Sequence, residues 1–200
     1  TTLRAELLPA LAAGARVAAV ARPGSGLTAT AAAGGWQVTG TARPVLGGHL
    51  ADVIVASVAT AGGGAWVVLD VGDGVAASEL PSLDPTRRVA EVVVDAVVPD
   101  TRVLGGVDDG FADDLTAVLA AADLVGVAQW CVDVAAEYAK DRIQFGRPIG
   151  QFQGVKHKCA DMLGRVELAR AAAWDAARAV DDPATRTLAA ASAVALALDA

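Results

Sequence analysis

Residues 142–153, R-I-Q-F-G-R-P-I-G-Q-F-Q, hold the most chemically specific group of side chains in the sequence. The guanidinium of Arg142 is planar and always charged, so it can donate two parallel hydrogen bonds to phosphate oxygens. The ring of Phe145 and the amide of Gln153 can contact a heterocycle. The segment therefore predicts binding of an adenine dinucleotide.

Arg142 also has a purely structural interpretation. An arginine near the C-terminus of a helix interacts favourably with the helix dipole, and it can pair with a carboxylate such as Glu137 or Asp141. The residues alone leave both interpretations open.

The cysteines and histidines form no pattern typical of a metal site or a nucleophile. Cys131 and Cys159 fall at apolar positions of helical patterns, which predicts small core residues in a reducing compartment rather than a disulfide or a metal pair. His49 lies in a predicted loop and His157 one step off a helical seam, so both are interpreted as surface or boundary residues. We expect neither metal nor hydrolytic chemistry.

Composition limits the class of protein. The chain has 200 residues, of which 54% are hydrophobic and 4% aromatic, enough apolar material for one or two globular domains. A net charge of -7 without a run of Lys or Arg argues against nucleic acid as a partner. There is no signal-peptide pattern, and the longest apolar run, residues 188–198, is shorter than the roughly 20 residues that span a bilayer. We therefore expect a cytoplasmic protein without a membrane span. Because the chain lacks an initial Met and stops within a helical pattern, we expect it to be part of a longer protein.

The first half of the chain has β character. Short β-prone runs alternate with Gly, Asp and Pro clusters, and a small barrel or sandwich is the expected result. The glycines at 62–64 and 72–74 are interpreted as hairpin or loop positions, since neither group forms the G-x-G-x-x-G that opens a Rossmann helix. The four β-prone runs are residues 36–39, 53–58, 66–69 and 92–94.

From Phe111 onward the apolar residues recur at helical spacing. Two long helices and a third are predicted, with Asp182 as N-cap and Pro183 in the first turn of the third. They should pack as an antiparallel bundle whose exposed side is available to other subunits. The predicted stripe of the first helix is Leu115, Leu119, Ala122, Val125, Gln129, Val132 and Ala136. The predicted seam of the second is Phe152, Val155, Cys159, Met162, Val166, Ala169, Ala173, Ala176 and Val180.

The 142–153 segment resembles the R-x-x-F-G-x-P-I-x-x-F-Q turn of the acyl-CoA dehydrogenase family, which joins two helices of a C-terminal bundle. The helix before it carries G-V-A-Q and E-Y-A, and the helix after it carries A-D-M and V-E-L-A-R, which resemble family motifs. Val98-Pro99, Leu104-Gly105 and the Leu8-Pro9…Gly14 start also fit, so the resemblance extends along most of the chain.

The resemblance implies an α+β fold. Residues 1–14 would end an N-terminal helical region, residues 15–106 would form the middle β-domain, and residues 107–200 would form part of the C-terminal helical bundle. It implies FAD as cofactor, with Arg142 on the pyrophosphate and with Phe145 and Gln153 at the adenosine end. It also implies a homo- or hetero-oligomer in which the cofactor crosses a subunit boundary.

Two segments that contact the flavin ring in the family differ in this chain. Ala21 and Arg22 stand at the threonine and glutamate of Y-x-x-T-E-P-x-A-G-S-D. Pro44 and Leu46 stand at the tryptophan and threonine of N-G-x-K-x-W-I-T. Each absent donor would leave a flavin heteroatom without a partner, at a cost of about 1–3 kcal/mol.

No catalytic base is predicted. The family's usual glutamate lies on a loop later than residue 200, and some members carry it near the start of the first bundle helix. Residues 115–118, L-T-A-V, offer no carboxylate at that place. The adjacent Asp113 and Asp114 are interpreted as first-turn helix acids.

Three functions therefore remain open. The first is α,β-dehydrogenation of an acyl-CoA thioester with FAD, with electrons passed to an electron-transfer flavoprotein. The second is a structural subunit that lends Arg142, Phe145 and Gln153 to a flavin held by another chain. The third is a flavin-free scaffold in which Arg142 has only its helix-end role.

Overall fold

The computed structural model describes residues 2–107 and 109–200. These residues form two compact units, one that ends at Ala112 and one that comprises Asp113–Ala200. The first unit begins with helix α1, Thr2–Ala12, and continues with a mixed β-sheet. Its strands are β1 (Ala18–Ala21), β2 (Leu27–Ala32), β3 (Gly35–Leu46), β4 (Val53–Thr60), β5 (Gly63–Asp70), β6 (Val75–Leu80), β7 (Val89–Val98) and β8 (Val103–Leu104).

The four predicted β-prone runs lie in β3, β4, β5 and β7, so the prediction of a β-domain is confirmed. Side chains alternate along these strands: on β7, Val92 and Val94 are fully buried, whereas Val93 and Val97 are about half exposed. Most of the buried side chains of β1 to β7 form one core. The Gly62–Gly64 run lies at the hairpin between β4 and β5, where Thr60 pairs with Gly63.

The sheet is not a closed barrel, which corrects the barrel alternative. Its strands follow the path β6-β7-β3-β2-β4-β5-β8, and β1 pairs with β4. Strand β8 has only two residues and pairs only through Val67–Val103 and Trp66–Leu104, so it is too short to carry the ladder on to β6. A cavity of about 160 Å³ is lined by residues of β5, β6 and β7 together with Asp73, Pro99 and Arg102.

Helix α1 packs against the sheet through Leu7, which is buried with Val53 and Val68. At the other end of the unit, Asp109 fixes the start of helix α2, Asp109–Asp141, to the sheet. Its Oδ1 accepts hydrogen bonds from Ser57 Oγ and from Trp66 Nε1, each 2.9 Å long.

The second unit contains most of α2, a short hairpin and two further helices. The hairpin strands are β9 (Ile143–Gln144) and β10 (Arg147–Pro148), and the helices are α3 (Gln153–Ala179) and α4 (Arg186–Asp199). The three helices share one core built largely from alanine and valine. Small side chains allow the helix backbones to approach closely. This arrangement confirms the predicted bundle.

The seam predicted for α3 is confirmed in its centre, where Val166, Ala169, Ala173 and Ala176 are buried. A polar contact ties α3 to α2: Arg170 Nη2 donates to Gln129 Oε1. It gives a partner to the single amide that the sequence places in the apolar stripe of α2.

The stripe predicted for α2 is partly wrong. Val125 and Val132 are buried as expected, but Leu119 is 63% exposed and Val118 is buried in its place. Cys131 is also exposed, so its interpretation as a core residue is wrong, whereas Cys159 is half-buried. The reason is that α2 is apolar on more than one face, so helical spacing alone does not identify the face that packs against α3 and α4.

The start of the third bundle helix differs from the prediction by one turn. Asp182 caps a turn before the helix, accepting hydrogen bonds from the Ala184 N–H and the Thr185 hydroxyl. These bonds lower the pKa of its carboxyl, that from the Thr185 hydroxyl having the larger effect. Helix α4 then begins at Arg186, so Pro183 precedes it rather than lying in its first turn.

Candidate functional site

The segment from Arg142 to Gln153 forms a solvent-facing turn between α2 and α3. The Arg142 N–H donates to the Tyr138 carbonyl, and the Arg142 carbonyl accepts from the Ile149 N–H, at 2.9 and 2.8 Å. Gly150 lies against the last turn of α2, where a Cβ would be 2.8 Å from the Ala139 carbonyl oxygen. The turn is therefore held to the helix by its backbone, while the Arg142 side chain is exposed.

Two carboxylates, Glu137 and Asp141, are the suggested salt-bridge partners of Arg142, and Glu137 is engaged with another residue. The Glu137 carboxylate forms an ion pair with Lys140, one turn before Arg142. This contact, chiefly through its hydrogen bond, raises the pKa of Lys140.

Phe145 and Gly146 form the tip of the hairpin. Their φ angles are 51° and 76°, the combination of a type I′ turn, which favours Asn-Gly and disfavours a bulky first residue. The Phe145 ring is 92% exposed. Its ring centroid lies 6.1 Å from that of Phe152, edge to face, and the Arg147 guanidinium lies 4.3 Å from the centre of the Phe152 ring.

Gln153 is the first residue of α3 and its side chain is exposed. The hairpin thus places Arg142, Phe145 and Gln153 in a single turn, twelve residues long, with all three side chains open to solvent. A fixed cation, a ring and an amide in this setting fit a phosphate and a heterocycle at a surface rather than in a closed pocket.

The structure brings the two altered flavin-ring segments together. The loop after β1 contains Gly26, which lies against Gly40 of β3: a Cβ on Gly40 would be 2.3 Å from the Gly26 carbonyl oxygen. Ala21 is fully buried and Leu46 is 63% exposed, and neither side chain can donate a hydrogen bond. The Ser25 hydroxyl of this loop is buried without a hydrogen-bond partner among the described residues. The side chains of Ala21 and Leu46 do not supply the donors that the family motifs would give to a flavin ring.

Asp113 and Asp114 are not first-turn acids, and that interpretation is wrong. Helix α2 begins at Asp109, so Asp114 lies in its second turn and is buried. Its Oδ2 accepts hydrogen bonds from Arg186 Nε at 2.9 Å and from the Thr187 hydroxyl at 2.8 Å. The hydrogen bond from Arg186, and next that from Thr187, lowers the pKa of Asp114 below its ordinary value. An ionised carboxylate that accepts two hydrogen bonds from α4 links α2 to α4 and is poorly suited to act as a base.

The remaining candidates for chemistry stay apart. Both ring nitrogens of His49 are buried without a hydrogen-bond partner among the described residues, while His157 is exposed. Within residues 2–107 and 109–200, no three His, Cys, Asp or Glu side chains are grouped as a metal site requires.

Comparison with known proteins identifies the family. The model of the acyl-CoA dehydrogenase C-terminal domain matches residues 114–197. The acyl-CoA dehydrogenase FadE34 of Mycobacterium tuberculosis is 39% identical over 195 residues, which are 95% of this chain and 26% of FadE34. The chain therefore spans about a quarter of the length of that relative.

Solved structures agree. Butyryl-CoA dehydrogenase from Megasphaera elsdenii superimposes with a TM-score of 0.89 at 26% identity, over 99% of this chain and 58% of that chain. A chain of the ChsE4-ChsE5 complex from Mycobacterium tuberculosis superimposes with a TM-score of 0.85 at 30% identity, over 95% of this chain and 54% of that chain. The chain belongs to the acyl-CoA dehydrogenase family, whose members are flavoprotein oxidoreductases of lipid metabolism.

Helix α2 has the length and hydropathy of a membrane-spanning helix. The apolar run at 188–198, on which the expectation of no membrane span is based, lies in α4 and not in this helix. The family match covers this helix from residue 114 onward, and its buried Val118, Ala121 and Val125 belong to the core shared with α3 and α4. Both observations assign α2 to the helical bundle.

Proposed function

We propose that this chain is a subunit of an FAD-dependent acyl-CoA dehydrogenase, which introduces an α,β double bond into an acyl-CoA thioester and passes the electrons to an electron-transfer flavoprotein. The observation that carries the proposal is the exposed turn with Arg142, Phe145 and Gln153 on a bundle of this family. FAD, when bound, would accept the hydride from the β-carbon of the substrate.

Each residue of the turn has a separate task. Arg142 neutralises and orients the pyrophosphate, because its fork can bind two oxygens while its backbone is fixed to α2 and Ile149. Phe145 offers a ring to the adenine, and Gln153 offers an amide that can donate and accept hydrogen bonds at the adenosine.

A second chain completes the site in this proposal. Val127, Trp130, Val134 and Tyr138 are 47–66% exposed, and their spacing of three and four places them on one face of α2, here called the outer stripe. Arg142 follows Tyr138 by four residues and donates its N–H to that carbonyl, so it continues the same face. A subunit that covers the outer stripe therefore reaches the proposed pyrophosphate site. The heteromeric ChsE4-ChsE5 relative supports such an assembly.

A second candidate function is supported by the flavin-ring segments. Ala21, Pro44 and Leu46 lack the donors of the family motifs, and Asp114 is held in an ion pair with Arg186. A chain with these features can bind the adenosine and pyrophosphate end of FAD, while a partner chain supplies the contacts to the flavin ring and the catalytic base. In this form the chain is a non-catalytic subunit of the dehydrogenase.

Substitution of Arg142 tests the cofactor role that both candidates share. Arg142→Ala is expected to weaken FAD binding by about 2–4 kcal/mol, because a charge-assisted and bidentate contact is lost. Arg142→Lys should recover only part of this, since a point charge does not reproduce the fork. The chain is co-expressed and purified with the partner subunit that completes the site. Binding is then measured by flavin fluorescence during titration with FAD.

The matched control is Arg43→Ala, which removes an exposed arginine that pairs with Glu91 at 3.3 Å in the altered part of β3. It should leave FAD affinity unchanged. Equal affinities of the wild type and Arg142→Ala would contradict the cofactor role and favour a helix-end role for this residue.

The location and domain limits follow from the same proposal. The resemblance to a soluble type of dehydrogenase favours the cytoplasm. We propose that residues 1–14 end an N-terminal helical region, that residues 15–106 form a middle β-domain and that residues 107–200 form part of a C-terminal helical bundle.

A further inference from the structure

Arg147 is a second arginine in the turn, and its environment differs from that of Arg142. It is the first residue of β10, directly after the Phe145-Gly146 tip. Its guanidinium lies 4.3 Å from the centre of the Phe152 ring, which is well within the range of a cation–π interaction. Phe152 in turn meets Phe145 edge to face, with an angle of 86° between the rings. Three side chains therefore form a continuous row of contacts, Arg147 to Phe152 to Phe145, here called the stack.

The stack has a local energetic reason. Phe145 is the one non-glycine residue with positive φ in the described part of the chain, and a bulky side chain there is disfavoured. At 92% exposure its ring gains little from burial. The contact with Phe152 is therefore the interaction in the turn that fixes the direction of the Phe145 ring, and the Arg147 guanidinium fixes Phe152 from its face.

We infer that Arg147 is a positioning residue for the adenine moiety of the cofactor: through Phe152 it holds the Phe145 ring in the orientation that receives the base. This inference rests on the proposed function, because it assumes that the turn binds the adenosine end of FAD. It assigns to Arg147 a task different from that of Arg142. Arg142 meets phosphate oxygens directly, whereas Arg147 is engaged with a ring and acts on the ligand through Phe152 and Phe145.

The inference predicts a selective effect on the adenine-containing ligand. Arg147→Gln should weaken FAD binding about three- to five-fold, the size of an exposed cation–π contact. Binding of flavin mononucleotide, which lacks adenosine, should not change. Affinities for both flavins are measured by fluorescence titration of the chain with its co-purified partner. Arg178→Gln, an exposed arginine near the end of α3, is the matched control for the loss of one positive charge and should leave both affinities unchanged.

Substitutions of Phe152 test whether Arg147 acts through the ring. Phe152→Leu removes the aromatic face and should weaken FAD binding, while Phe152→Tyr keeps the face and should restore it. Combining Arg147→Gln with Phe152→Leu should cost less than the sum of the single changes, because both break the same stack. Additive losses would overturn the mechanism through Phe152.

The possible outcomes separate this inference from the proposed function. If Arg142→Ala weakens FAD binding but Arg147→Gln does not, the positioning role is wrong and the cofactor role stands. If Arg147→Gln weakens FAD and flavin mononucleotide equally, Arg147 acts as a general charge and the inference is wrong. If FAD does not bind to the wild-type assembly, both are wrong.

Discussion

At the scale of single residues, two ionic groups of the bundle have opposite settings. Arg142 is exposed beside a fixed backbone and suits an external ligand. The Asp114 side chain is only 10% exposed, and its Oδ2 accepts hydrogen bonds from Arg186 and Thr187. A charge that binds an external ligand must remain accessible, whereas a buried charge is tolerated when its hydrogen bonds are satisfied within the fold.

The Asp114–Arg186 pair is expected to stabilise the bundle in a pH-dependent way. Because the folded-state pKa of Asp114 is lowered, its contribution is fully present above the unfolded-state pKa, about 3.9, and is lost as pH falls through the folded-state pKa. Asp114→Asn should destabilise the protein by roughly 3 kcal/mol at pH 7, since Arg186 loses a buried charged partner. The difference from the wild type should shrink below about pH 4.

Chemical denaturation between pH 7 and pH 3 measures this effect. Asp84→Asn is the control, because Asp84 also has a lowered pKa, chiefly from its hydrogen bond with the Thr86 hydroxyl, but lies in an exposed loop. Its unfolding midpoint at pH 7 should remain close to that of the wild type. If Asp114→Asn lowers the free energy of unfolding equally at every pH, packing rather than charge accounts for the contribution of Asp114 to stability.

At the scale of elements, α3 depends on a seam of small side chains. Val166 is fully buried in its centre, while Arg165 beside it is 57% exposed at its side chain and reaches the end of α4, where Nη1 donates to the Asp199 carbonyl at 3.1 Å. Adjacent residues of one helix therefore have opposite environments, which provides a paired test of the packing.

Val166→Asp should unfold the bundle or reduce its stability by about 4 kcal/mol or more, because it buries a carboxylate without a partner. Arg165→Asp should cost less than about 1 kcal/mol, since it removes surface contacts only. Thermal unfolding followed by circular dichroism compares the two variants. Similar melting temperatures would contradict the assignment of the seam.

At the scale of the whole molecule, the exposed apolar side chains of the bundle form the surface on which we propose that another subunit packs. The outer stripe of α2 presents Trp130 at 66% exposure and Tyr138 at 58%. Large exposed aromatic groups in a contiguous row are typical of interfaces. Because the stripe leads to Arg142, assembly and cofactor binding are expected to depend on each other.

Trp130→Glu is therefore expected to dissociate the assembly and to reduce the flavin absorbance of the purified protein together. The bundle itself should remain folded, because Trp130 lies outside its core. Light scattering after size-exclusion chromatography gives the mass, to be compared with 20.0 kDa for one chain. Leu83→Glu, at a fully exposed loop position between β6 and β7, is the control and should leave both mass and absorbance unchanged. Loss of flavin from an assembly of unchanged mass would contradict the coupling.

The sequence by itself determined the class of fold and the composition of the turn. Three- and four-residue spacing in α3 identifies a buried face, because many of the other positions of that helix are charged. The residues of the Arg142–Gln153 turn are contiguous, so their proximity needs no tertiary information. The weaker strands β1, β2 and β6, rich in Ala, Thr and Ser, were not predicted, since their pairing depends on neighbouring strands.

The tertiary structure decided the features that depend on contacts distant in sequence. It determined which face of the largely apolar helix α2 is buried, and hence the exposure of Leu119 and Cys131. It paired Asp114 with Arg186, 72 residues away, and so changed a presumed first-turn acid into an interhelical tie. Local spacing cannot specify such contacts, because the energy of a side chain with several possible environments is set by the partners that folding brings to it.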